Sequence, residues 1–277
     1  MPTLPSIFLT RLGELVMETS LHELLPRFRK LGGDDIVAKP SKDDPLDIVT
    51  AADRGAEAYL SSRLPDLSPG SIVVGEEAVS ADPTILDRLR GNTPVWLVDP
   101  LDGTRSFAAG ETAFGPMVAL VERGTILAAA IHLPLAGELL LAELGQGAFL
   151  NGARIEPPTK TIGSPRGTIF SKFMPPALAE DLNNRQAWHE RIDAPLCAAH
   201  QYAALALGRT DYAVWFRLHP WDHAPGALIL REMGGVSRHP DGREYQPLPL
   251  REPLLAARSE PYWAHVRAEL FPDTPQP

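Results

Sequence analysis

The chain has 277 residues, enough for one large domain or two modest ones. With 44% hydrophobic and 22% charged residues it has the balance of a folded globular protein. Its formal net charge of -9 argues against a nucleic-acid polymer as partner, which calls for a basic stripe. It leaves room for a phosphorylated small molecule, because the charge of a bound metal can outweigh the global balance. The single cysteine, Cys197, excludes an intrachain disulfide and a cysteine-based zinc site, and it suits a reducing cytoplasm.

Residues 4–28 carry Ile7, Leu12, Leu15, Val16, Leu24 and Leu25 at helical spacing, which predicts one or two helices packed on a core. Arg11 and Glu14 interrupt that pattern and no basic start precedes it, so no signal peptide is expected. A charged loop with Gly and Pro punctuation follows over 32–45. Thr50 is placed to cap a helix over 51–64, with Pro65 beyond its end. Short β-branched runs at 71–74 and 95–98 predict buried strands, and further strands are expected at 117–121, 126–132, 138–144 and 148–150. Gly124, Gly137, Gly145 and Gly147 mark the turns between them. The most apolar stretch, 126–135, contains His132 and Pro134 and is too short for a membrane span, so no membrane partner is expected.

Composition shifts over 155–166, where Pro157, Pro158, Gly163 and Pro165 gather. This predicts a junction between an N-terminal domain, 1–154, and a C-terminal domain, 155–277. Beyond it, strands at 168–171, 212–216 and 254–257 alternate with helices at 176–188, 202–207, 221–233 and 259–270. The first half reads as α+β and the second as α/β.

Asp99-Pro100-Leu101-Asp102-Gly103-Thr104 directly follows the apolar run 95–98. Carboxylates at a strand's end can face a crevice while the strand stays buried. Two aspartates three apart can share one pocket if the chain turns between them, as Pro100 favours. Their oxygens are the ligands a hard divalent cation takes. A helix starting at Gly103 and Thr104 would add free backbone donors for an anion. The alternative is an Asp-rich turn with Asp102 as a helix cap. Glu76 and Glu77 follow another short strand. They read either as a solvated loop or as one carboxylate turned into a shared site, since neighbouring side chains diverge. Asp222 lies near the start of the helix over 221–233, where it favours the helix dipole or serves a site. Asp47 stands between Leu46 and Ile48; if those two are buried, its carboxylate is expected to point the other way, toward solvent or a cleft.

In this order the segments resemble the inositol monophosphatase family. The match comprises Leu46-Asp47-Ile48-Val49-Thr50 with Ala52-Asp53, Gly75-Glu76-Glu77 and Asp99-Pro100-Leu101-Asp102-Gly103-Thr104. It continues through Gly145-Gln146-Gly147-Ala148-Phe149-Leu150-Asn151-Gly152, Trp221-Asp222 with Gly226, and Gly234-Gly235, and so spans nearly the whole chain. The resemblance implies a layered α-β-α-β-α sandwich, commonly a homodimer and often inhibited by lithium. The implied activity is magnesium-dependent hydrolysis of a small-molecule phosphate monoester by direct attack of an activated water, with two or three ions per site. Carried over, Glu76, Asp99 and the Leu101 carbonyl hold a first ion. Asp99, Asp102 and Asp222 hold a second, and Glu76 helps hold a third through water. Asp47 and Thr104 orient and activate the water, and Gly103 and Thr104 bind phosphate oxygens, with Asp102 and Asp222 beside the substrate.

Two positions depart from the family pattern. Leu196-Cys197-Ala198 stands where a Gly-Ser-Ala segment is common, and Trp215 stands where a glutamate contacts a polyol substrate. An indole cannot accept hydroxyl hydrogen bonds as a carboxylate does. Inositol phosphate, histidinol phosphate, a sugar phosphate and a 3'-phosphorylated nucleotide all remain candidate substrates. Arg105, Lys172, His200, Gln201 and Arg217 could shape a different pocket. Three competing readings are a haloacid-dehalogenase-like phosphatase with an aspartyl nucleophile, a non-catalytic relative on the same scaffold, and purely structural acidic segments without metal. The first requires aspartates two apart rather than three.

Overall fold

The computed structural model describes residues 5–39, 44–158 and 163–275. Leu4 of the first expected helix, residues 40–43 of the charged loop and residues 159–162 of the expected junction lie outside the described residues.

The helices are α1 (Ile7–Thr19), α2 (Ala51–Ser61), α3 (Leu64–Leu67), α4 (Glu76–Ala81), α5 (Thr104–Ala108), α6 (Pro176–Arg185), α7 (Ala198–Ala206), α8 (Pro220–Glu232) and α9 (Glu260–Leu270). A small ribbon pairs β1 (Ile36–Ala38) with β2 (Ile48–Thr50). A seven-stranded sheet runs in spatial order through β3 (Ile72–Gly75), β4 (Val95–Asp102), β5 (Gly115–Glu122), β6 (Thr125–Leu133), β7 (Glu138–Glu143), β8 (Gly147–Leu150) and β9 (Ala153–Arg154). Only its first pair, β3 with β4, is parallel. A five-stranded sheet contains β10 (Arg166–Ile169), β11 (Glu190–Arg191), β12 (Tyr212–Leu218), β13 (Val236–Arg238) and β14 (Leu250–Ala257), in the order β11-β10-β12-β14-β13.

Strand alternation sorts the core into three layers. Trp96 and Val98 on one face of β4 pack with Leu9, Leu12 and Val16 of α1 and Leu60 of α2. Leu97, between them, faces the other way. It joins Tyr202 and Ala203 of α7, Leu228 and Ile229 of α8, and Ala213 and Leu254 of the second sheet. Beyond that sheet, Val214 and Leu255 pack with Leu182 of α6 and Val266 and Leu270 of α9. The architecture is therefore the expected α-β-α-β-α sandwich, with α7 and α8 as the filling. Each fully buried leucine in these layers contributes about 1.5–3 kcal/mol relative to exposure.

Several boundaries differ from expectation for local reasons. The first helix ends at Thr19 and continues as a π turn over Ser20–Leu24. The expected loop over 32–45 carries β1, because Ile36–Ala38 finds its partner in β2. The helix expected at 202–207 starts at Ala198, since the Asp102 carboxylate accepts from the Ala199 N–H at 2.6 Å and caps it from far along the chain. The helix expected over 176–188 turns into a 3-10 segment at Gln186–Trp188. Residues 76–81 form α4 rather than a loop. Among the described residues, no helix is long and apolar enough to cross a membrane.

Candidate active site

β4 delivers both of its aspartates to one side. Its pairing with β5 is regular from Val95↔Val121 to Asp99↔Met117, then shifts so that Asp102 meets Gly115. Three residues on β4 thus oppose two on β5, which is a bulge at the proline. In a regular strand, residues three apart face opposite ways; the extra residue reverses that and aims Asp99 and Asp102 into the same space. The parallel register of β3 with β4 ends at Gly75↔Val98, so the next residue, Glu76, emerges beside Asp99.

Glu76 opens α4, whose first turn is held by Glu57 of α2. The Glu57 carboxylate accepts from the Glu77 and Ala78 N–H groups at 2.8 and 2.9 Å. A Cβ on Gly75 would lie 2.3 Å from a Glu57 oxygen, so this cap needs the glycine. Gly103, at φ +86°, ends β4 and precedes α5, and a Cβ there would meet the Ala113 carbonyl at 2.4 Å. Asp222 is the third residue of α8, the helix between the sheets. These groups face one cavity of about 630 Å³. Every site residue expected from the sequence lines it: Asp47, Glu76, Asp99, Leu101, Asp102, Gly103, Thr104 and Asp222.

The acidic floor is electrostatically unfavourable in isolation. Burial, then the carboxylates of Glu76, Asp102 and Asp222, push Asp99 well above the ordinary carboxylate range. Burial, then Asp102 and Glu76, do the same to Asp222. Asp102 is pushed up to about 6, chiefly by burial. The Lys39 ammonium donates to Glu76 and Glu77 at 2.8 and 2.7 Å. Burial disfavours its charge, but the two glutamates outweigh that and raise its pKa. Glu77 is pushed up to about 7 by burial and by Glu76. Among the described residues, no three acidic, histidine or cysteine side chains already stand as a ready-made metal cluster. The donors are nonetheless all oxygen and mutually repelling, which is the chemistry that a hard divalent cation relieves.

The expected pairing of Asp47 with Thr104 is corrected. The Thr104 hydroxyl lies 2.8 Å from Asp53 Oδ1 and 3.0 Å from the Leu101 carbonyl. Asp53 is fully buried at the start of α2, where its other oxygen accepts from the Thr50 N–H at 2.7 Å and the Thr50 hydroxyl at 2.5 Å. Thr50 in turn caps the Ala52 N–H, completing a capping box. Burial, against these hydrogen bonds, pushes Asp53 up to about 6. Asp47 lines the cavity from the strand side, and its carboxylate accepts from the Ile48 N–H. A Thr followed three residues later by Asp is a sequence signal for a capping box. Its second use, presenting Oδ1 to Thr104, is not visible locally.

Opposite the floor the wall is aromatic and basic. Trp215 is almost buried, stacked between Phe170 at 5.7 Å and 9° and Tyr202 at 5.0 Å and 19°. The Arg217 guanidinium lies 3.6 Å over the Phe173 ring, with the Lys172 ammonium 4.8 Å from its centre. Asp44 accepts from Lys172 at 2.8 Å and from Arg105. Cys197 is buried in the cavity lining just before α7. Of the other residues expected to shape the pocket, Gln201 also lines it, whereas His200 does not.

Comparison with known proteins agrees with this geometry. The model of the inositol monophosphatase family matches residues 15–275. The fructose-1,6-bisphosphatase/inositol-1-monophosphatase of Thermotoga maritima is 33% identical over 205 residues, 72% of this chain and 73% of that protein. The histidinol-phosphatase of Chlorobaculum parvum is 34% identical over 202 residues, 71% of this chain and 74% of its own. The structure of the extragenic suppressor protein suhB from Bartonella henselae superposes with a TM-score of 0.80 at 25% identity, covering 97% of this chain and all of the other.

Proposed function

The chain belongs to the inositol monophosphatase family, and from that premise we propose that it hydrolyses a small-molecule phosphate monoester at the acidic floor of the cavity. The observation that carries this reading is convergence. Glu76, Asp99, Asp102 and Asp222 leave three separate elements, α4, two points of the bulged β4, and α8, and line one cavity beside Thr104. Glu76, Asp99, the Leu101 carbonyl, Asp102 and Asp222 would hold magnesium ions, two or three per site. Such ions supply charge neutralisation at the phosphoryl group and ease the deprotonation of water.

The remaining work falls to side chains of this chain. Thr104 and Asp53 form the water-orienting pair. The hydroxyl can accept a hydrogen bond from a water while its own proton is directed to Asp53 Oδ1. Asp53, near 6, is able to take a proton at neutral pH and release it again. The Gly103 N–H already donates to the Asp102 carboxylate, and Thr104, next in the chain, offers its backbone donor to a phosphate oxygen. Lys39 holds Glu76 in place and adds positive charge beside the phosphate.

Two solution properties go with this reading on the strength of the family resemblance: a cytoplasmic location and a homodimer. The proposed division at 154/155 is supported by the sheets, since the first ends at Arg154 and the second begins at Arg166. The substrate range spans the chemistry named for the relatives, sugar, inositol and histidinol phosphates.

The test is phosphate release from a panel of such monoesters with magnesium or with EDTA, on the wild type and Asp99→Asn. Magnesium-dependent turnover lost in the variant is the expected result. Folded, metal-binding protein that turns over nothing in a broad panel would sink the reading in favour of a non-catalytic relative.

A further inference from the structure

The basic wall has a feature that phosphate-ester hydrolysis does not require. Arg217 lines the cavity and is half-buried, yet among the described residues its guanidinium forms no ion pair and donates no hydrogen bond. A more exposed arginine does find a carboxylate, as Arg243 does with Glu252. A half-buried guanidinium in no direct ion pair loses hydration; its charge lowers the pKa of Asp222 from beyond ion-pair contact, and its direct contact is with a ring.

That contact fixes its geometry. The guanidinium stacks 3.6 Å from the Phe173 ring centre, which occupies its face and leaves the N–H groups on its edge as donors. The backbone position is also specified. Arg217 follows Trp215 by two residues on a regular stretch of β12, so the two share a face, and the extra residue of the irregularity lies on β14. Asp222 of the floor acts on Arg217 from beyond ion-pair contact, while its neighbours on the wall are cationic. Lys172 lies against the same ring, and Asp44, the buried carboxylate of this wall, already accepts from both Lys172 and Arg105. An edge-on, pre-oriented guanidinium in a cationic wall matches a planar or tetrahedral oxyanion.

We propose that Arg217 is a specificity-determining residue that binds a second anionic group of the substrate, a carboxylate or a second phosphate, while the ester is cleaved at the acidic floor. The inference rests on the phosphatase reading and narrows its substrate class to small phosphate monoesters bearing another oxyanion. The reaction itself is unchanged: water displaces the alcohol, and the second anionic group stays on that product.

The experiment compares kcat and KM for matched pairs with the magnesium-loaded enzyme. One pair is 2-phosphoglycerate against glycerol 2-phosphate; the other is glucose 1,6-bisphosphate against glucose 6-phosphate. The wild type should favour the doubly anionic member of at least one pair. Arg217→Met, which keeps the apolar packing on Phe173, should collapse that preference by about ten- to a hundredfold, mostly through KM, as expected for loss of a hydrogen bond to a charged group. Arg217→Lys should restore part of it. A preference limited to the first pair assigns a carboxylate, and one limited to the second a phosphate. Equal losses for both members in Arg217→Met, or a wild type with no preference, overturn the inference while leaving the phosphatase reading intact. No phosphate release from any ester overturns both.

Discussion

The two sides of the cavity handle charge in opposite ways. On the floor, Asp99, Asp102 and Asp222 are acids brought together by a bulge and a helix start; burial, then Glu76 and Asp102, raise the pKa of Asp99, and burial, then Asp102 and Glu76, that of Asp222. On the wall, Asp44 is as buried as Asp99 but sits between two cations. Burial alone would raise it, yet Lys172 and Arg105 hold it below the usual carboxylate range. Asp44 is balanced within the protein, whereas the floor is balanced only by something added. A group of buried acids that destabilises its own fold is the expected signature of residues kept for chemistry rather than for stability.

The largest expected effect therefore lies on the floor. Asp99→Asn removes one of the mutually repelling charges and a proposed metal oxygen. Phosphate release should fall by on the order of 10³-fold or more. Melting temperature measured in EDTA should hold steady or rise, because a buried charge has gone. Activity close to wild type would remove the distinction between the two sides. A large loss of stability in EDTA would mean that Asp99 is structural.

The next effect separates Asp53 from Asp47. Asp53→Asn keeps the size of the side chain but removes the acceptor that Thr104 faces, and it should cost roughly 10²-fold or more in kcat, in the range of general acid–base contributions. Asp47→Asn should cost distinctly less, because Thr104 is not bonded to it. Rate measurements on both variants at saturating magnesium decide this. A greater loss from Asp47→Asn would restore the pairing expected from sequence.

A smaller, physical readout is the pH dependence of stability without metal. Asp53 and Asp102 rise from 3.8 to about 6, and Glu77 from 4.5 to about 7. Their folded pKa values lie above the unfolded ones, so the fold prefers the protonated forms. The stability they contribute is fully present below about pH 4 and is lost as pH rises through about 6 to 7. In EDTA the melting temperature should fall by a few degrees between about pH 4.5 and 7.5. Magnesium should flatten that slope at its upper end. Asp44, whose pKa is lowered, acts only below about pH 4 and does not mask the effect. A melting temperature that rises with pH across this window in EDTA would contradict the picture of a self-repelling floor.

The floor was largely legible in the sequence because its signals are local. An apolar run ending in Asp99, Asp102 and Gly103, another ending in Glu76, and an acid at a helix start can each be read within a few residues. The period-two and helical patterns gave most of the strands and helices, while the sandwich itself came from the family resemblance. What escaped depends on partners distant in sequence. Glu57 caps α4 from α2, Asp102 caps α7 across the sheets, and Asp53 meets Thr104 across 51 positions. The short strands β1, β9, β11 and β13 exist because a neighbour pairs with them, and two or three residues carry too little pattern of their own. Trp215 was recognisable as a departure, but its burial between Phe170 and Tyr202, and the stacking of Arg217 on Phe173, are properties of packed layers.

The smallest effect belongs to the wall. Asp44→Asn should leave kcat nearly unchanged and shift KM by less than about tenfold, because its cationic partners Lys172 and Arg105 are 31% and 41% exposed and are screened by solvent. The direction is informative. Freed from Asp44, Arg105 and Lys172 become available to an anionic substrate, so KM for a doubly anionic ester should fall rather than rise, most clearly at low ionic strength. If KM rises for singly and doubly anionic esters alike, Asp44 acts as a structural tie between α5 and the segment before α6, and its charge has no say in what the wall selects.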